Sequence, residues 1–338
     1  YWYNGDRLVV DNEVEPPDGN LDDPAAALLE GVYQFDQIEL SGYGHLVISG
    51  TASMITLTKE TLVSVDGNCR LTISGTLVAP DAFIVTDVTV DVGGLLSGPT
   101  DLTIDDGCGV ILHAATALYT CTHAFDEVDV ISGSLILVPS DNGTEDNYVD
   151  DLPLTLAAET VTIEAGGKIS ADGQGYQSAD GPGAGGARSG AGHGGWGGDG
   201  YNGGGGGAPY GDVFQPITLG SGGGDYNASC KGGAGGGAVH LVVDTLILSG
   251  TLSANGIATL ECASYFPSGG GSGGSIWIEI GTLAGPGTIQ ANGGNSNFTG
   301  GGGGGGRIAV ETQANYFSGN INVAGGKGGV YNDQYGED

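Results

Sequence analysis

The chain of 338 residues sets 40 acidic side chains against 8 basic ones, a formal charge of −32. The eight Lys and Arg are scattered singly, which excludes binding to nucleic acid or to an anionic membrane, since both need clustered cations. Glycine, at 70 residues, far exceeds ordinary usage without collagen's third-residue period, and the hydrophobic fraction of 39% falls in regular Val/Ile/Leu/Thr alternation, so the chain folds, and folds as β.

In chain order, the opening Tyr1-Trp2-Tyr3 lacks Met, which suits a processed mature protein or an excised region. Leu8-Val9-Val10 reads as a first strand. Asp23 as N-cap, Pro24 at the first helical position, Ala25 to Leu29 and Gly31 as terminator predict a short helix. That helix either covers the apolar open end of a stacked fold or is a linker turn. From Tyr33 to Val138 the alternation is nearly unbroken: Phe35-Asp36-Gln37-Ile38-Glu39-Leu40 returns as Phe125-Asp126-Glu127-Val128-Asp129-Val130. Turns at Ser49-Gly50, Ser74-Gly75 and Ser97-Gly98 recur at spacings of 25 and 23 residues. Short strands with apolar residues inward and a coil closing every twenty-odd residues predict a parallel β-helix.

An acidic loop at 141–151 divides the solenoid into halves. After it, Val161-Thr162-Ile163 and Lys168 to Gly173 resume the strand-and-turn pattern. The insert from Gln174 to Lys231 is dominated by Gly but carries Trp196, Tyr201, Tyr210 and Phe214, which predicts an ordered, close-packed loop rather than a flexible spacer. Three copies of one unit then follow, at 232–256, 269–294 and 301–326. Each is a glycine run, an alternating strand, a turn, a second short strand and a small-residue turn. The matching glycines Gly237, Gly274 and Gly306 lie 37 and 32 residues apart, the signature of a repeat whose units must stack to bury their apolar faces. The expected organisation is an N-terminal arm and capping helix at 1–32, a first half of the solenoid at 33–151, and a Gly-rich half with C-terminal tail at 152–338. No run of eighteen apolar residues exists to span a membrane.

Three sequons, at Asn142, Asn227 and Asn297, sit in loop-like surroundings and favour an extracellular glycoprotein. The five cysteines show no zinc spacing. In an oxidising compartment, Cys230 with Cys262 is the preferred disulfide and Cys108 with Cys121 the second, leaving Cys69 free or intermolecular.

The run Ser170-Ala171-Asp172-Gly173-Gln174-Gly175-Tyr176, then Gly181-Pro182-Gly183, His193-Gly194-Gly195, Tyr210-Gly211-Asp212 and the glycine runs at 220–224 and 232–237 resembles a Gly-rich β-helical module of secreted microbial and protist surface proteins. It is also similar to segments of the glycoproteins that build tubular flagellar hairs (mastigonemes) and related extracellular fibrils. The resemblance covers about 155–330 and implies a single-stranded right-handed parallel β-helix (β-solenoid), all-β, extracellular, structural and glycosylated. It brings no catalytic residues.

Polysaccharide-cleaving enzymes also use parallel β-helices. Asp105-Asp106, Gly192-His193-Gly194 and Arg307-Ile308 echo the acid pair, Gly-His-Gly and Arg-Ile-Lys motifs of polygalacturonases. Here, however, Ala309 replaces the Lys, the preceding Asn-Thr-Asp is missing, and the separations are 87 and 115 residues. The stretch 194–202 fits the calcium-roll nonapeptide once, with Asp199 as ligand, whereas calcium rolls need consecutive copies. Trp277, between Ile276 and Ile278, faces outward if they face inward. It would then bind glycan or pack a neighbouring subunit. The expected function is a glycosylated structural subunit of an extracellular filament or surface coat that self-associates head to tail without a cofactor, with Tyr1, Trp2, Tyr3, Tyr331 and Tyr335 in the joining segments. The alternatives are a glycan-binding adhesin and a polysaccharide lyase or hydrolase.

Overall fold

A computed structural model describes residues 2–4, 7–11, 27–41, 44–59, 61–64, 69–86, 88–98, 101–105, 109–113, 122–139, 153–202, 204–259 and 267–329. Among these the chain is all-β, with no helix. β1 (Trp2–Asn4) lies antiparallel on β2 (Arg7–Asp11), and every other strand pairing is parallel. Two sheets take successive strands from successive passes of the chain, an arrangement compatible with a β-solenoid.

The first sheet continues from β2 through β4 (Gln37–Ser41), β6 (Thr61–Ser64), β9 (Ala82–Val85), β12 (Asp101–Ile104), β14 (Thr122–Val130), β16 (Leu154–Ile163), β18 (Ala238–Leu248) and β20 (Ser275–Gly285) to β22 (Arg307–Phe317). The second runs from β5 (His45–Leu57) through β7 (Cys69–Ile73), β10 (Val88–Val92), β13 (Gly109–His113), β15 (Ser134–Val138), β17 (Lys168–Ser170), β19 (Thr251–Ser253) and β21 (Thr288–Gln290) to β23 (Asn320–Asn322). Ten parallel rungs in the first sheet, from β2 to β22, extend over about 45 Å at the usual strand spacing.

Register keeps like with like. Leu46, Leu71, Val90, Val110, Leu135, Ile169, Leu252 and Ile289 follow one another in a single inward column, each 0% exposed. Because side chains alternate with period two, a one-residue slip would turn such a column to solvent, so the apolar pattern itself fixes the pairing.

The expected helix at Pro24–Leu29 is corrected where it is described. Ala27 to Leu29 open β3 (Ala27–Phe35), which pairs in parallel with β5, while Asp23 and Pro24 lie outside the described residues. A five-residue Ala/Leu run is too short to nucleate a helix against the competing offer of a strand edge. Gly31, read as a helix terminator, instead occupies the register shift between Glu30 and Val32, with φ at +128° and its amide donating to Ser53 Oγ at 3.0 Å.

In the first rungs the coil has a third side. The second half of β5 leaves β7 and pairs with β8 (Thr76–Val78), which pairs with β11 (Leu95–Ser97). From β17 onward the described third side is made of glycine. The stretch between β17 and β18 adds no strand to either sheet. Instead its segments pack side by side with those at 254–258, 267–274, 291–295, 301–306 and 323–328, joined by lateral backbone hydrogen bonds.

The run 301–306 gives the rule of this packing. The amides of Gly301 and Gly304 donate to the carbonyls of Arg188 and Ala191, and those of Gly303 and Gly306 to Gly294 and Ala291. The carbonyls of Gly301 and Gly304 accept from Gly270 and Gly273. Every third residue meets the same neighbour, the repeat of a polyproline II helix. Side-chain-free backbones thus pair in several directions at once, which satisfies buried amides and carbonyls without a sheet.

Candidate functional site

Three features of this frame bear on function: the end of the stack, the buried His193 cluster, and the outer face of the long strands. At the end, β22 pairs with β20 and β23 with β21, and no described strand pairs with their far edges. Ile321 continues the fully buried inward column but is 54% exposed, and Val323 beyond it is 44% exposed. Two neighbouring inward positions turn polar in this rung, Ile280 giving way to Thr312 and Leu283 to Asn315. Thr312 Oγ1 donates to the Ala314 carbonyl at 2.9 Å, and Asn315 Oδ1 accepts from the Phe317 amide at 2.9 Å, so both satisfy themselves locally.

His193 is fully buried. Nδ1 lies 2.9 Å from the Gly273 carbonyl and can only donate to it, which leaves Nε2, 2.9 Å from Thr218 Oγ1, to accept the hydroxyl proton. The Tyr210 ring packs at 4.7 Å, and Tyr210 donates its hydroxyl to the Leu219 carbonyl at 2.5 Å. Arg307 Nε donates to the Tyr210 carbonyl at 2.9 Å and Nη2 to that of His193 at 3.5 Å. Burial drives the imidazole down to about 4, with the neighbouring Arg307 charge acting the same way against the Gly273 carbonyl. Structure therefore unites His193 with Arg307 but not with Asp105, which directly follows β12, five strands from β22 in the sheet order, and accepts from Ser132 Oγ at 2.7 Å. With both ring nitrogens occupied and no exposed surface, His193 ties the loop at 208–218 to the glycine bundle.

The other expected sites are dispersed. Asn227 sits on an exposed turn, its Oδ1 accepting from the amides of Ser229 at 2.9 Å and Cys230 at 3.0 Å. The Asn297 amide atoms are buried without a hydrogen-bond partner among the described residues. Cys230 is buried and its carbonyl accepts from Ser268 Oγ at 3.3 Å. Cys69 points inward at the start of β7. Tyr1, Asp106, Cys108, Cys121, Asn142, Cys262, Tyr331 and Tyr335 lie outside the described residues, and Trp2 and Tyr3 belong to β1. Asp199 Oδ1 accepts from the Gly206 amide at 2.8 Å. No three metal-ligating side chains converge among the described residues, and no helix there is long and apolar enough to cross a membrane.

On the outer face, Ile276 and Ile278 are 0% exposed and Trp277 points outward, as alternation requires. Its indole stacks on His240, in register on β18, with ring centroids 4.0 Å apart and planes 8° from parallel. His240 reaches Thr155 Oγ1 at 3.1 Å through Nδ1 and Glu279 Oε1 at 2.8 Å through Nε2.

Beside this stack the long strands bend, and the outer face dips into an open groove of about 420 Å³. Its lining is three residues from each of three successive rungs: Val242, Val243 and Asp244; Glu279, Ile280 and Gly281; Glu311, Thr312 and Gln313. At the bend two outward residues follow one another, as Asp126-Glu127 on β14, Glu159-Thr160 on β16 and Asp244-Thr245 on β18. That break in alternation is the sequence signal for the groove, and a reading by strand pattern alone passes over it.

No family model, characterised protein or solved structure matches this chain.

Proposed function

We propose that the chain is a structural glycoprotein subunit of an extracellular filament or cell-surface coat, a single-stranded right-handed parallel β-helix joined end to end. The hand follows the strong preference of parallel crossovers for the right-handed form. The observation that carries the reading is the last rung: β22 and β23 each offer an edge that no described strand pairs, and Ile321 stands 54% exposed in an otherwise buried column. Covering such a residue is worth about 2 kcal/mol, and an exposed parallel edge templates another strand. Docking the far end of a second copy, where β1 and β3 form the sheet edges, repeats without closing and so builds a fibre. The acidic surface and the exposed Asn227 turn support an extracellular, glycosylated setting, and the closed environment of His193 supports a non-enzymatic role.

Negative-stain microscopy and sedimentation of native material test this reading, with intact mass reporting glycans. Filaments, or a concentration-dependent ladder of oligomers that Ile321→Lys abolishes, are the expected result. Monodisperse, unglycosylated monomers that Ile321→Lys leaves unchanged would refute it.

A further inference from the structure

Beyond β19, β21 and β23 the chain runs on as extended segments of the glycine wall, and the amides of each segment donate to carbonyls of the next. Ala254, Gly256 and Thr259 donate to Gln290, Asn292 and Asn295, and the equivalent Ala291, Gly293 and Ser296 donate to Asn322, Ala324 and Lys327, all at 2.8–3.0 Å. The next amides in this series are those of Val323, Gly325 and Gly328. They have no acceptor among the described residues and face the open end of the stack, where Val323 is 44% exposed.

A second ladder, made of side chains, stops at the same place. Asp172 Oδ1 accepts from the Asn255 amide at 2.6 Å, Asn255 Oδ1 from Asn292 at 2.8 Å, Asn292 Oδ1 from Ala324 at 2.9 Å, and Asn295 Oδ1 from Lys327 at 2.8 Å. In the last rung both asparagines give way, to Ala324 and Lys327, whose side chains accept nothing. An extended segment laid on this edge would therefore find donors for its carbonyls, but no acceptor for the amides of two residues, three apart, opposite Ala324 and Lys327. Proline is the residue that offers a carbonyl without an N–H, and it holds φ where a three-residue repeat needs it. Gly325 and Gly328 lie one turn of that repeat apart, about 9.3 Å. Charge specifies the flanking residues. Five of the eight cations are ion-paired, Arg188 lies over Tyr226 and Arg307 donates to two carbonyls, whereas exposed Lys327 has no partner among the described residues.

We propose that this edge binds a proline-rich segment in the polyproline II conformation, with Pro-x-x-Pro spacing and acidic residues beside the prolines, whose proline carbonyls accept from Gly325 and Gly328. The row adjoins β23 at the end offered for assembly, so binding is measured on monomers. The probe is acetyl-Ala-Glu-Pro-Ala-Glu-Pro-Ala-amide, titrated into the full chain at about 0.05 M sodium chloride, diluted until sedimentation shows a single copy, and read from the amide shifts of Val323, Gly325 and Gly328. These should move saturably. Replacing the peptide's first proline with alanine should weaken binding about fivefold, and replacing both glutamates with lysine should weaken it at least as much. Ala324→Asn restores the acceptor that Asn255 and Asn292 supply at equivalent positions, so the fold accommodates it, and it should narrow the gap between proline and alanine to about twofold. A gap that Ala324→Asn leaves unchanged would reduce the preference to the stiffness of proline and overturn the proposal. So would unmoved amides, or equal affinity of either the alanine or the lysine counterpart.

Discussion

A methyl group built on Gly303 would sit 2.0 Å from the Gly271 carbonyl oxygen, and one on Gly305 would sit 1.8 Å from that of Val323. Neither neighbour is a side chain that can swing away, so the bundle must open to admit it. Gly303→Ala should therefore cost at least about 3 kcal/mol in urea unfolding. Gly205→Ala, whose added carbon meets only Asp199 Oδ1 at 3.9 Å, should stay within about 0.5 kcal/mol of the parent. His193 makes the second prediction at this scale. The unfolded chain takes up its proton below about 6.5 and the folded chain only below about 4, so between these values the unfolded state binds more protons and stability falls as pH falls. The loss amounts to about 3 kcal/mol across the window, and buried His123, lowered chiefly by desolvation, acts in the same direction. Urea midpoints followed from pH 7 to pH 4 should decline less steeply in His193→Gln, and parallel profiles would remove His193 from the account.

Strands and glycine runs differ in how their backbones are paired, and amide exchange reports it. Gly301, Gly303, Gly304 and Gly306 are buried and donate to carbonyls of the bundle at 2.7–3.0 Å, so their exchange should be as slow as that of Leu246 or Leu283 in the central strands. Rapid exchange there would mean that the bundle opens independently of the sheets. The strands were legible in the sequence because alternation is written in side chains: Phe35 to Leu40 and Phe125 to Val130 fall where their patterns put them. Glycine writes no such pattern, so the lateral packing at 171–237 could be read only as order, not as a three-residue lattice. The helix at Pro24–Leu29 misled because capping residues and an Ala/Leu run are local signals, while the edge of β5 that claims Leu28 and Leu29 lies some twenty residues downstream. The groove escaped notice because Asp244, Glu279 and Glu311 look like solvated acids until the pairing of β18, β20 and β22 brings them together.

For the molecule as a whole, a formal charge of −32 opposes any contact between copies. If the ends join through Ile321 and the edges of β22 and β23, the attraction is apolar and hydrogen-bonded, whereas the repulsion is long-ranged and screened by salt. Sedimentation should therefore show longer assemblies at 0.5 M than at about 0.05 M sodium chloride. The opposite trend would point to an ionic interface instead.

The three-residue rhythm of 301–306 also limits how such a chain can change length. Deleting Gly302 alone would turn every later amide of the run by a third of a turn and aim it at the wrong neighbour, whereas deleting 302–304 would restore each remaining residue to an equivalent partner. A strand tolerates such edits in twos. Gains and losses in this protein are thus quantised differently on its two kinds of wall, by threes in glycine and by twos in the sheets.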